Sequence, residues 1–305
     1  MALIFVLVAA IFAAATNLCL RKNFEFSKSA KGYLSLYFIF SFLISFAFRS
    51  DLDISSFSPV MASIGVISGL LNLLMMLLVA RAVQIGPSGL TFAFQNSGSM
   101  LPSLLLFFLF GAPFGFKLPL TLLLGFFCVF AGLFLSVRSD KKPTDFGISS
   151  VHFRQWIFFA ILVFLMSGLI LSIFQWRSLL LTPNSQTHCL IPWSCSLQED
   201  LWFMPGFFFV PTLVQSAIFY FSEKRWFTSK EMLLGFLGGV FNGSATFFLL
   251  LATRITTQNF RPILFPLFAI AVIFLCNLWG KKIYQEPIEW KGLLLCLAGV
   301  FIGSL

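Results

Sequence analysis

The chain has 305 residues, of which 59% are hydrophobic and only 10% charged. A soluble protein carries about a quarter charged residues, because its surface must face water, so a water-soluble globule is excluded. The net charge of +9 does not mark a nucleic-acid partner: the basic residues gather in short connections between apolar runs, as they do where a membrane protein fixes its orientation.

Runs of about 20 apolar residues, enough to cross the hydrocarbon as helix, recur along the whole sequence. In chain order they cover residues 2–20, 32–48, 54–80, 82–116, 118–137, 155–176, 201–222, 232–253, 262–280 and 292–305. The first lacks a basic segment ahead of it and is followed by Arg21 and Lys22, so it reads as a membrane helix rather than a secretion signal. The fourth is too long for one span, and its ends, 84–89 and 111–113, read as turns. The expected fold class is an all-α membrane protein of about ten transmembrane helices.

Lysine and arginine set the orientation. The connections after the odd spans hold fifteen of the twenty and those after the even spans hold five, which puts the odd connections in the cytoplasm. Both termini are then extracytoplasmic, and so is the loop 175–200. Of six cysteines, Cys19, Cys128, Cys276 and Cys296 lie in apolar runs, where cysteine behaves as a small hydrophobe. Cys189 and Cys195 share the outer loop, where an oxidising compartment would allow a disulfide. With no CxxC pair and two histidines, His152 and His188, no metal or cofactor is expected.

A repeat crosses the polar linker 138–154. Gly125, Ala131, Gly132 and Phe134 recur at the same spacing as Gly292, Ala298, Gly299 and Phe301. Gln95-Asn96 precedes Pro102 as Gln258-Asn259 precedes Pro266, and Gly69 and Asn72 mirror Gly239 and Asn242. The organisation expected is a five-helix repeat over 1–137, the cytoplasmic linker 138–154, and a second five-helix repeat over 155–305. An odd number of helices per repeat inverts the second half, an architecture of secondary transporters with a site near the midplane.

These features resemble the drug/metabolite transporter superfamily, in its ten-helix EamA-type branch. The resemblance is carried by Gln285-Glu286-Pro287-Ile288-Glu289-Trp290-Lys291-Gly292 with the following Ala298-Gly299-Val300-Phe301-Ile302, and by Ala13-Ala14-Ala15-Thr16-Asn17-Leu18-Cys19-Leu20-Arg21-Lys22. Gly111-Ala112-Pro113 departs from the family by lacking a glutamate after the fourth span, and the connection between spans six and seven is long for it. The resemblance implies a carrier in a bacterial inner membrane working by alternating access, monomeric or a weak homodimer among membrane lipids. Its small-molecule substrate would be amino-acid-like, nucleotide-derived such as S-adenosylmethionine, or a sugar conjugate.

The residues narrow this further. All eleven carboxylates fall in loops or at span ends, whereas a proton relay or a cation site needs an intramembrane acid. Exchange or facilitated diffusion of an anionic or zwitterionic solute fits better. The candidate substrate-binding residues are the neutral polar ones at membrane depth: Asn17, Asn72, Gln95, Asn96, Ser99, Asn242, Gln258 and Asn259. A lone amide in a span is explained by a bond to a neighbouring helix; the two Gln-Asn pairs, repeated ahead of a proline, point to the site. Arg261 joins the candidates. If its helix begins near Thr256, the guanidinium lies inside and can grip a carboxylate or phosphate. If the helix begins at Pro262, it reaches out to headgroups. Arg81 and Arg254 read as interfacial anchors. No catalytic constellation is present, since His188, near Cys189 and Ser185, has no acid to orient it. A helical scaffold and a membrane-bound lipid-modifying enzyme are the alternatives, the enzyme requiring clustered acids or histidines at the interface.

Overall fold

The computed structural model describes residues 1–48, 57–111, 119–138, 150–180, 196, 198–256, 261–286 and 288–303. Every regular element among them is helical: α1 (Ala2–Phe26), α2 (Lys31–Ala47), α3 (Pro59–Ile85), α4 (Ser88–Ser97), α5 (Leu101–Phe110), α6 (Leu120–Arg138), α7 (Ser150–Leu180), α8 (Phe203–Glu223), α9 (Ser229–Ile255), α10 (Arg261–Tyr284) and α11 (Trp290–Ile302). Short 3-10 turns, Gly98–Met100 and Glu199–Trp202, precede α5 and α8. Helix is forced by the solvent, because hydrocarbon offers no partner to an open backbone.

Among the described residues seven helices are long and apolar enough to cross a membrane, the segment Ser88–Leu109 counting as one. Three shorter apolar helices accompany them: Lys31–Ala47, Leu120–Ser136 and Trp290–Ile302. Large apolar side chains such as Leu3, Ile11, Phe108, Phe127 and Phe158 stand exposed, as they should where the outer solvent is lipid. The chain is an all-α, multi-pass membrane protein.

The chain divides into two compact units, each drawn from both halves of the sequence. The first comprises Met1–Leu74 and Ile173–Ile255, and the second Met75–Ser172 and Thr256–Leu305. Helices α3 and α7 each contribute to both.

In the first unit α9 packs on α1 and α2 through glycines one turn apart. A Cβ on Gly235 or Gly239 would strike Leu36 and Phe40 of α2 and press on the carbonyls of Tyr33 and Tyr37, the latter at 2.6 Å. Only glycine lets the two backbones approach so closely. On α3, Gly65 and Gly69 meet the carbonyls of Phe203 and Phe207 of α8 in the same manner. Each residue of one contact lies the same distance along the chain from its counterpart in the other. Stacked rings bind α1 to α9, with Phe12 against Phe241 at 5.8 Å and Phe248 at 6.0 Å.

The second unit holds α6 against α11 by a reciprocal glycine contact. A Cβ on Gly125 would lie 2.6 Å from the Gly299 carbonyl, and one on Gly292 would lie 2.6 Å from that of Gly132. Gly132 and Gly299 answer in turn against the carbonyls of Gly292 and Gly125. Around this seam Val129, Leu133, Leu293, Cys296 and Val300 are buried with Trp156, Phe164 and Ile273. The Trp156 Nε1 donates to Thr91 Oγ1 at 2.9 Å, so the indole's one polar atom is satisfied inside the unit.

Candidate functional site

The second unit contains a broken span. Helix α4 ends at Ser97, the chain tightens into the Gly98–Met100 3-10 turn, and α5 resumes at Leu101. The sequence explains the break. Asn96 Nδ2 donates to the Phe92 carbonyl at 2.8 Å and Ser97 Oγ to that of Ala93 at 2.7 Å, back-bonds that bend helices. Pro102 sits in the first turn of α5, where its missing N–H costs no hydrogen bond. Gly98 lies against α7, and a Cβ there would stand 2.6 Å from the Phe164 carbonyl.

Two polar atoms flank the break without partners among the described residues: Gln95 Oε1 and Ser99 Oγ, both buried. Positions four apart face the same side of a helix, so the pair marks one patch. An unpaired buried acceptor or hydroxyl costs about 1–3 kcal/mol, and here two occur within a turn of an opened backbone. At the other end of α4 the Glu286 carboxylate accepts from Ser88 Oγ at 2.5 Å and from the Gly89 backbone N–H at 3.0 Å. It fills the helix's positive end, where an anion is favoured.

The first unit buries a charge cluster. Arg177 Nε donates to Asp200 Oδ1 at 2.5 Å and its Nη2 to Oδ2, with both side chains fully buried. Arg254 Nε reaches the same Oδ2 at 2.6 Å. The Arg177 guanidinium also lies 4.8 Å from the centre of the Phe203 ring. Two guanidiniums on one carboxylate leave an excess positive charge, and Arg177 Nη1 is buried without a partner among the described residues. Beside the cluster is a cavity of about 30 Å³ lined by Ser45, Phe48, Asp200 and Arg254 among others, room for a water-sized occupant.

The sequence candidates fall as follows. Asn17 and Asn72 are buried in α1 and α3 of the first unit. Asn242 Nδ2 donates to Ser41 Oγ at 3.0 Å, and Ser41 donates to the Gly239 carbonyl at 3.0 Å, so this amide ties α9 to α2. Gln95, Asn96 and Ser99 cluster at the break in the second unit, Asn96 bonded within its own helix. Gln258, Asn259, Cys189 and Cys195 lie outside the described residues. Arg261 opens α10, and Thr256 lies in a bend after α9; the Arg261 side chain is outside the described residues.

One reading needs correction. Arg254, read as a headgroup anchor, instead pairs with Asp200. Among the described residues Asp200 and Glu231, at span ends as the sequence places them, are buried, each 1% exposed. Neither Arg177 nor Asp200 stands among the sequence candidates. The signal that could have found them is scarcity: in a chain with so few charges, an acid at the mouth of an apolar run needs a cation beside it.

Compared with known proteins, the chain matches no family model and no curated protein sequence. Among solved structures, a crystal structure of a protein matches with a TM-score of 0.60 at 14% identity, over 99% of this chain and 94% of that one. At that identity the likeness is one of fold alone.

Proposed function

We propose that the chain is a secondary transporter that moves a small polar metabolite across the membrane by alternating access, through exchange or facilitated diffusion. The observation that carries the reading is the break between α4 and α5, with Gln95 Oε1 and Ser99 Oγ buried and without partners among the described residues. Broken spans are the recurring site-forming device of secondary carriers, because opened backbone is tolerated at membrane depth only where it lines a cavity or is covered by protein. A hydrogen-bonding solute would supply the partners these atoms lack.

The expected architecture of ten spans in two inverted five-helix repeats supports the same reading. Among the described residues seven helices long enough to cross a membrane and three shorter apolar ones are compatible with ten spans. The glycine contacts recur in matched pairs, α3 on α8 as α9 on α2, and α6 on α11 reciprocally. That pattern is what a two-fold relation between the halves 1–137 and 155–305 produces. The resemblance to EamA-type carriers adds the substrate class: amino-acid-like or nucleotide-derived solutes, S-adenosylmethionine among them. The excess of lysine and arginine in the odd connections supports both termini lying outside.

The test is uptake into proteoliposomes preloaded with unlabelled solute, run across amino acids, nucleotides and S-adenosylmethionine. Saturable counterflow of one class, with a matching rise in melting temperature of the purified protein, is the expected result. Flat uptake together with an unmoved melting temperature across the panel would overturn the carrier reading in favour of a scaffold.

A further inference from the structure

At the far end of α8 from Asp200, the first unit carries a pocket of about 640 Å³, within the about 300–1,000 Å³ typical of small-ligand sites. Ser35 and Ile39 of α2 and Phe219 of α8 form part of its walls, and Lys224, Trp226 and Phe227 close it beyond the helix end. At its inner wall the Ser35 and Ser216 hydroxyls are 3.1 Å apart and hydrogen-bonded. Phe219 and Phe227 stack at 4.5 Å. The pocket is apolar along the helices and basic at its mouth.

The charges at the mouth are not equivalent. Arg225 is held by Glu231 through two hydrogen bonds, at 2.8 and 2.7 Å, and by Glu223 at 3.1 Å. Those bonds, Glu231's first, keep its guanidinium above the ordinary range; two carboxylates face this one guanidinium, and the second of them, Glu223, also feels the charge of Lys31. Lys224 lines the same pocket and makes no ion pair among the described residues. It terminates α8 with φ of 49° and its backbone N–H on the Tyr220 carbonyl. Lys28, Lys31 and Lys230 lie at the same end of the unit, where Ser29 bonds Glu223 at 2.8 Å and Lys230 Nζ lies 3.9 Å from the centre of the Phe26 ring. The rim is aromatic and open, with Tyr220 70% and Trp226 90% exposed. Such rings settle at headgroup level.

We propose that this pocket binds an anionic phospholipid of the leaflet at the basic end of the protein, its phosphate on Lys224 and its acyl chains along α2 and α8. Basic pockets between transmembrane helices bind phosphate headgroups by charge. The apolar wall from Phe219 to Ile39 is what separates this site from one for a free phosphate compound. The proposal rests on the membrane placement of the helices and not on the carrier reading.

The test uses the full-length protein in zwitterionic detergent, titrated with short-chain phosphatidylglycerol, short-chain phosphatidylcholine or inorganic phosphate, with melting temperature as the readout. Phosphatidylglycerol should stabilise the protein saturably while phosphatidylcholine and phosphate leave it unmoved. Lys224→Gln should weaken the apparent affinity about fivefold, the worth of about 1 kcal/mol for one lysine near an anionic surface, and Lys224→Arg should restore it. Trp226→Ala, which removes no charge and leaves the Trp226 carbonyl that accepts from Arg225 Nη1 at 3.1 Å, should lower the affinity as well. An equal response to phosphatidylcholine would overturn the proposal, and so would a response to inorganic phosphate alone. An affinity unchanged in both Lys224→Gln and Trp226→Ala would place the lipid elsewhere and also overturn it. Solute uptake is read separately, so its failure leaves this result standing.

Discussion

Arg177 grips Asp200 with two parallel hydrogen bonds at a point where neither side chain meets solvent. The pair joins α7 to the turn that leads into α8, and Arg254 brings in α9. Desolvating such charges is expensive, and removing one partner leaves the other bare, at a cost of about 3–5 kcal/mol. Asp200→Asn should therefore lower the thermal stability of the purified protein sharply. The pair Arg177→Met with Asp200→Leu should cost less than Asp200→Asn alone, because it leaves one uncompensated guanidinium fewer. A double variant as unstable as the single one would show that the cluster is not where the loss arises.

The glycine contacts predict paired phenotypes. Gly69 meets the Phe207 carbonyl as Gly239 meets that of Tyr37. Overpacking a tight contact costs about 1–3 kcal/mol. Gly69→Val and Gly239→Val should each destabilise within that range and by similar amounts, measured as loss of monodisperse protein on heating. A large loss in one and none in the other would remove the support these contacts lend to a two-fold relation.

Glu286 and Ser88 give a milder test. The carboxylate receives the Ser88 hydroxyl and the Gly89 N–H at the start of α4, so Glu286→Ala removes both a cap and a favourable charge. A cap is worth about 0.5–2 kcal/mol and the dipole term about 0.3–1 kcal/mol. Glu286→Gln keeps an acceptor and should recover part of the loss. Full stability in Glu286→Ala would mean that water caps α4 equally well.

Much of the fold was legible because hydrocarbon imposes one rule on every span: apolar length. Residues 2–20 and 232–253 fall inside α1 and α9 for that reason. The glycines were legible as recurring positions in the sequence, and their partners were not, since spacing along one helix does not say which carbonyl will face it. The site was half legible. Gln95 and Asn96 stood out as an amide pair ahead of a proline and Ser99 as a neutral polar residue at membrane depth; among the described residues Gln95 Oε1 and Ser99 Oγ have no partner, whereas Asn96 is bonded within its own helix. Asn242, a lone amide without that proline signal, is bonded to Ser41 of the neighbouring helix; a polar residue in a span declares that it needs a partner, not who that partner is. Arg177 and Asp200 escaped because their meeting is tertiary: an acid at a span's edge reads as solvated until the fold covers it.

The carrier reading turns on residues whose loss should harm transport and spare the fold. Gln95→Leu and Ser99→Ala each remove a buried group that has no partner among the described residues. Deleting an unsatisfied polar group removes a desolvation cost of about 1–3 kcal/mol, so both variants should melt at or above the temperature of the parent. Their counterflow should nevertheless fall at least about tenfold if each atom contributes a hydrogen bond to the solute, because losing one to a charged group removes about 1.5–3 kcal/mol. Arg261→Ala should abolish uptake of an anionic or zwitterionic solute, and Arg261→Lys should restore only part of it, since lysine lacks the two-pronged geometry that grips a carboxylate. Variants with raised stability and full counterflow would assign Gln95 and Ser99 to packing, and normal rates in Arg261→Ala would take the arginine out of the site.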